Sequence, residues 1–208
     1  MSPRPRLGEL RQAQLLDAAV AVITERGFHD TRLGDVAAAV GLHASTVLHY
    51  ASSKRQLLAQ ALAHAEEGFF DDVEEAMSAV DTAAGKLAVI VRACCAPPGT
   101  NASYALWLET WSVARTNPEL GTIRLQLDVR WRAMVEDVVT LGRSTGEFAG
   151  PPPDVAALAI SALLDGLAVP MTLGNPAVTP ARMEAVALDT ISQLLGADLR
   201  APAVVGVS

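Results

Sequence analysis

The sequence predicts an all-α protein, and three observations carry that expectation. Half of the 208 residues are apolar, alanine and leucine above all, and no long stretch alternates apolar with polar as a half-buried strand would. Apolar residues recur instead at i, i+3, i+4 and i+7, as at Leu16, Ala19, Val20 and Ile23. Proline and glycine clusters then cut the chain into helix-length pieces.

In chain order, residues 1–8 read as a flexible arm. Two prolines oppose an early helix, and Arg4 and Arg6 suit a phosphate or a minor groove as well as a solubilising tail. The first helix is expected over 9–26, stopped by Gly27, with Phe28 packing back. Asp30 or Thr31 is the expected N-cap of a second helix, whose apolar positions are Leu33, Val36, Ala37 and Val40. Gly41 makes a tight turn. A third short helix opens at His43, Ala44 or Ser45 and ends near Tyr50. Ser52 or Ser53 caps a fourth, from Lys54 to about Met77. Further helices are expected at 83–96, 102–116, 119–144, 154–173 and 179–196. The breaks between them fall at Pro97-Pro98-Gly99, Asn117-Pro118, 146–153 and Gly174-Asn175-Pro176. Thr179-Pro180 reads as an N-cap followed by proline at the first helical position. The segment after Gly196 has no strong pattern and is expected to fray.

The stretch 33–58 carries the function. Two short helices joined by a glycine turn form a helix-turn-helix, whose second helix can enter the DNA major groove. The formal net charge of −7 argues against a generic nucleic-acid binder, but the charge is uneven. Residues 1–58 hold seven Lys/Arg against five Asp/Glu, and the remainder nine against eighteen. A mildly basic head on an acidic body suits a protein that meets DNA with one end.

Other chemistries find little support. The four histidines (His29, His43, His49, His64) show no metal-ligand spacing with Cys, Asp or Glu. There is no G-x-S-x-G, P-loop or H-E-x-x-H, so neither catalysis nor a metal or other cofactor is expected. The acidic cluster 66–75 reads as the solvated face of a long helix. Cys94 and Cys95 are adjacent, a spacing that strains a disulfide, and read as small buried apolar side chains. No stretch of 18 or more residues is apolar without a charge, and the apolar run at 15–23 is interrupted by Asp17, so neither a membrane span nor a signal peptide is expected. A cytoplasmic protein is the expectation.

From Gly27 to Leu58 the chain resembles the DNA-binding domain of TetR-family transcriptional regulators. Gly27-Phe28, Thr31, Asp35-Val36-Ala37, Gly41-Leu42, Thr46-Val47, Tyr50, Ser53-Lys54 and Leu57-Leu58 carry the resemblance at fixed offsets. The segments 107–132 and 146–167 are similar, more loosely, to one C-terminal variety of that family. The chain departs from the family pattern at His43 (usually Ser), Leu48 (usually Tyr) and Ala51 (usually Phe). These changes bear on operator sequence more than on fold.

The resemblance implies a homodimeric, ligand-responsive regulator, expected to be a repressor released from a pseudo-palindromic operator. It implies that Thr46 and Tyr50 meet phosphate or base edges, that His49 reads the groove, and that Lys54 holds a phosphate. Thr31 and Arg32 would touch the flanking backbone. Ser45 and His43 join the DNA-facing set, although the cap position of His43 suits a local role equally. The expected division is a head at 1–54, an effector and dimerisation body at 55–200, and a frayed tail at 201–208.

In the body, Tyr104, Trp107, Trp111 and Trp131 suit either plain core or a pocket for a mainly apolar small molecule, with Glu109, Asp128 and Asp165 as polar lining candidates. The last two helices are apolar over more than one face, so Leu158, Ala162, Leu163, Gly166, Leu167, Val186, Ile191 and Leu194 are the expected dimer interface. The competing reading is a helical ligand-binding or assembly protein whose helix-turn-helix no longer reads DNA.

Overall fold

A computed structural model describes residues 7–95 and 102–200. The arm bearing Arg4 and Arg6, the Pro97-Pro98-Gly99 break and the tail at 201–208 lie outside these residues. The described residues are helical, with no strand among them: α1 (Leu7–Arg26), α2 (Leu33–Ala39), α3 (Ala44–Val47), α4 (Lys54–Ser78), α5 (Ala83–Cys94), α6 (Ala102–Ala114), α7 (Pro118–Ser144), α8 (Pro153–Thr172) and α9 (Pro180–Leu195). They form two compact units. Unit 1 holds the residues up to Phe69 with Ala102–Leu127, and unit 2 holds the rest, so the division falls inside α4 and α7.

In unit 1, α1 packs on α2 and α6, and α2 packs on α3. Leu15, Ala19, Ile23, Val36, Val47, Leu58, Leu62, Leu106 and Leu120 form the centre of one apolar core. Helices of seven and four residues cannot stand alone in water, so α2 and α3 exist because Val36, Ala37 and Val47 are buried in that core. The backbone turns at Gly27 and Gly41 with φ of 79° and 67°, values that a Cβ disfavours. The cap of α2 differs from expectation: it is Arg32, not Asp30 or Thr31. Its amide donates to Asp35 Oδ2 at 2.8 Å, and the Arg26 guanidinium pairs with the other Asp35 oxygen at 3.3 Å. The third helix is shorter than expected, with Leu48–Tyr50 in a turn.

In unit 2, α5, α8 and α9 pack mutually. Leu87, Ile90, Ile160, Leu164, Ala187, Ile191 and Leu195 are fully buried. Glu147, in the α7–α8 connection, caps α5: its carboxylate accepts from the amides of Ala83 (3.1 Å) and Ala84 (3.0 Å) and from the Thr145 hydroxyl (3.0 Å). Burial alone would push the Glu147 carboxyl up. The Ala84 and Ala83 amides and the Thr145 hydroxyl outweigh it and hold the carboxyl below its ordinary value. The Phe148 ring occupies the space that a Cβ at Gly142 would need.

The expected fraying after Gly196 does not begin at once. Leu199 is buried, and Arg200 pairs with Asp189 at 2.8 Å, which holds 197–200 on α9. Both cysteines are buried, and burial, helped by the charge of Glu184, pushes the Cys95 thiol up to about 12. A thiol held protonated is a poor nucleophile, which fits a packing role. By length and composition α8 would suffice to cross a membrane, although it carries Asp154 and Asp165 and packs on α5 and α9.

Candidate nucleic-acid interface

The helix-turn-helix presents one face of α3 outward because the opposite face carries Val47, which is fully buried. His43, Ala44, Ser45, Leu48 and His49 are exposed, while Thr46 and Tyr50 are half-buried. His43 is the N-cap of α3 by backbone conformation (φ −85°, ψ 147°), yet its imidazole makes no cap hydrogen bond. Of its two expected roles the local one therefore lacks a bond. Arg32 is exposed at the head of α2.

Two residues of the expected set are engaged inside the head. Thr31 is only 2 % exposed, and its hydroxyl donates to the Gly27 carbonyl at 2.8 Å. A buried hydroxyl spent on its own turn is not available to a phosphate, so Thr31 is a turn-fixing residue and leaves the DNA-facing set. Lys54 opens α4, and its ammonium donates to the His29 carbonyl at 2.9 Å and lies 4.4 Å from the Phe28 ring centroid. Burial lowers its pKa, and Asp30 and Asp35 partly offset that. Its contacts with His29 and Phe28 tie α4 to the turn after α1. Ser53 caps α4 by accepting from the Gln56 amide at 3.1 Å.

The same turn has a second tie that sequence reasoning missed. Glu109 of α6 accepts from the Phe28 amide at 2.9 Å. It was a candidate for lining a pocket; its carboxylate is instead committed to a backbone N–H 81 residues away. No periodicity signals such a pairing.

The expected effector residues are not brought into one unit. Tyr104, Trp107 and Trp111 form a row along α6 in unit 1, whereas Asp128 and Trp131 on α7 and Asp165 on α8 belong to unit 2. Along the row, the Tyr104 and Trp107 rings meet edge-on at 5.8 Å and those of Trp107 and Trp111 at 4.3 Å. The Arg124 guanidinium lies 6.0 Å from the Trp111 ring. Tyr104 and Trp107 are half-buried, and Trp111 is 44 % exposed. Among the described residues no group of three or more His, Cys, Asp or Glu could hold a metal ion.

Of the expected interface residues, Leu158, Ala162 and Gly166 are exposed, and Val155 extends their line along one face of α8. Leu163, Leu167, Val186 and Leu194 are half-buried. Ile191 is fully buried in the core of unit 2, so it supports α9 from within and does not reach a surface.

Comparison with known proteins agrees with this arrangement. The profile of the C-terminal domain of BetI-type transcriptional repressors matches residues 83–196, and that of bacterial regulatory proteins of the tetR family matches residues 15–61. The HTH-type transcriptional regulator BetI of Burkholderia mallei is 30 % identical over 200 residues, covering 92 % of this chain and 97 % of that protein. The regulator of the same name from Serratia proteamaculans is 27 % identical over 202 residues, covering 93 % and 98 %. Among solved structures, a transcriptional regulator from Saccharomonospora viridis in complex with choline shares the fold, with a TM-score of 0.83, 23 % identity, and coverage of 90 % of this chain and 98 % of that one.

Proposed function

Since this chain belongs to the TetR family of ligand-responsive transcriptional repressors and carries a BetI-type C-terminal half, we propose that it acts as a cytoplasmic homodimer whose effector is a small quaternary ammonium compound held against the aromatic row of α6. The observation that carries the effector class is that row. Tyr104, Trp107 and Trp111 offer ring faces at helical spacing, two of them half-buried. Ring faces attract a cation whose charge lies inside a shell of methyl groups, at about 0.5–2 kcal/mol per face. Such a ligand is apolar in surface and cationic in charge, and the choline bound to the Saccharomonospora viridis regulator has that chemistry.

In this reading His43, Ser45, Thr46, His49 and Tyr50 meet the operator, with Arg32 and Lys54 on its backbone. The exposed line of Val155, Leu158, Ala162 and Gly166 on α8, with Leu163, Leu167, Val186 and Leu194 beside it, joins two chains. A two-fold pair then places two α3 helices on successive major-groove faces of a pseudo-palindrome. The work divides between a head at 1–54 and a body at 55–200. The effector lowers operator affinity by binding the DNA-free form more tightly, by the same factor.

Titration of choline, tetramethylammonium and the uncharged tert-butyl isostere of choline tests this, with tryptophan fluorescence and release of the chain's own upstream DNA followed together. All three tryptophans lie outside the head, so the indole signal reports on the body. The cations are expected to change fluorescence and release DNA, and the isostere to do neither. Equal action by the isostere, or quenching without release, would overturn the quaternary ammonium reading.

A further inference from the structure

Leu48 is the exposed residue of the head that the polar DNA-facing set leaves unexplained. It is 51 % exposed, and among the described residues 11–69 it is the one large apolar side chain so open to solvent. Its neighbour Val47 points fully into the core, so Leu48 stands on the outward flank with His49. Ala44, one helical turn earlier, is also exposed, which sets a methyl group beside the Leu48 side chain at i, i+4. His43, Ser45 and His49 border this pair with polar groups. The face is therefore a small apolar strip inside a hydrogen-bonding surface.

We propose that Leu48 determines operator sequence by packing on the C5-methyl group of a thymine in the major groove. The assignment rests on the reading that α3 meets the operator. The occupant follows from groove chemistry. Every base pair presents donors and acceptors in the major groove, and among the four bases only thymine adds a methyl group there. Polar neighbours on both sides suit a base pair whose remaining edge still needs hydrogen bonds. An apolar protein partner would instead need a wider apolar patch than one leucine and one alanine supply.

The test uses the full chain and a duplex chosen by it. A random-sequence duplex library is selected on the wild-type protein, and the enriched sequence is remade with each thymine replaced in turn by deoxyuridine. That replacement deletes the methyl group and keeps the pairing and the O4 acceptor. One thymine per half-site is expected to be sensitive, with affinity falling about three- to fivefold, the size of one methyl group removed from contact. Leu48→Ala, at an exposed position, is expected to melt as wild type does, to bind the thymine duplex with a similar loss, and to ignore the deoxyuridine change. If a sequence is enriched but no deoxyuridine position matters, or if Leu48→Ala remains as sensitive as wild type, the assignment is overturned while the operator reading stands. If the library enriches no sequence at all, the operator reading fails and the assignment falls with it.

Discussion

Two turns in this molecule are each tied down by a glutamate from a distant part of the chain. In unit 1, Glu109 of α6 takes the Phe28 amide, in the turn that leads from α1 into the helix-turn-helix. In unit 2, Glu147 takes the Ala83 and Ala84 amides at the start of α5 and is itself steadied by Thr145. The second tie is triply bonded and sits on a helix N-terminus, where the orphan amides and the dipole both favour a carboxylate. The first is a single bond to an irregular turn, helped by Lys54 on the His29 carbonyl. The difference lies in how the holding is shared: the turn into the head is held by separate groups, Glu109, Lys54 and the Thr31 hydroxyl, whereas one carboxylate takes two amides at the origin of α5.

The two units also expose different chemistry. Around α3 the exposed residues are polar except for Leu48 and Ala44, while α8 exposes Val155 and Leu158. The largest effect should come from breaking the second pattern. Leu158→Asp adds a charge at a position 57 % exposed in the single chain, so it should leave the fold intact. Buried against a partner chain, the same carboxylate is costly. Light scattering should show a monomer, and operator affinity should fall a hundredfold or more because the half-sites are no longer linked. A stable dimer would put the interface elsewhere. Ile191→Asp is the contrasting case: buried in the chain itself, it should unfold unit 2.

The two ties should separate in thermal melts. Glu147→Ala removes three charge-assisted bonds, and a loss of about 2 kcal/mol is expected after allowance for its partial exposure, or roughly 4–8 °C in Tm for a chain of this size. Glu109→Ala removes one and should cost about half as much. Glu147 also predicts a pH dependence. Its folded carboxyl lies below the ordinary value, so its contribution is fully present above the ordinary carboxylate range and is lost as pH falls through the folded value. The Tm gap between wild type and Glu147→Gln should therefore close in acid. A gap that is constant with pH would mean that the cap does not depend on the carboxylate's charge.

Several helix boundaries were legible in the sequence because they fall at or beside a residue whose backbone chemistry is local: Gly27, Gly41, Pro118, Pro153 and Thr179-Pro180. The face of α3 was legible because Val47 had to be inward. What escaped was which of several possible partners a polar group takes, whether that partner lies three residues away or eighty-one. Thr31 carries the same hydroxyl whether it meets a phosphate or the Gly27 carbonyl, and only the fold shows which. Arg32 became the α2 cap because Asp35 reached back to its amide, not because of its own side chain. Glu109, between two tryptophans in sequence, reads as a polar group of a pocket, yet its carboxylate accepts from the Phe28 amide. Leu199 gave no pattern, yet its burial and the Arg200–Asp189 pair extend order beyond Gly196.

Lys54 gives the smallest effect and the finest discrimination, because two roles compete for one ammonium. In the DNA-free chain it holds the His29 carbonyl and covers the Phe28 ring. If that is its whole role, Lys54→Ala lowers Tm and weakens every operator equally, but the dependence of affinity on salt does not change, since no counterion is involved. If the ammonium also meets a phosphate when DNA arrives, the slope of log affinity against log salt becomes shallower by about 0.9 for each half-site. The head's own geometry favours the second outcome. The bond to His29 is exposed, so a phosphate oxygen can replace a neutral carbonyl, and a charge-assisted bond is the stronger of the two. His49→Ala is the control on the other side. It should leave the salt slope nearly unchanged and relax preference at one base pair, by roughly 1–3 kcal/mol if the imidazole meets a base edge. A Lys54→Ala protein with the wild-type slope and a lowered Tm would make Lys54 purely a tie of the head, and would leave Arg32 as the cation facing the operator backbone.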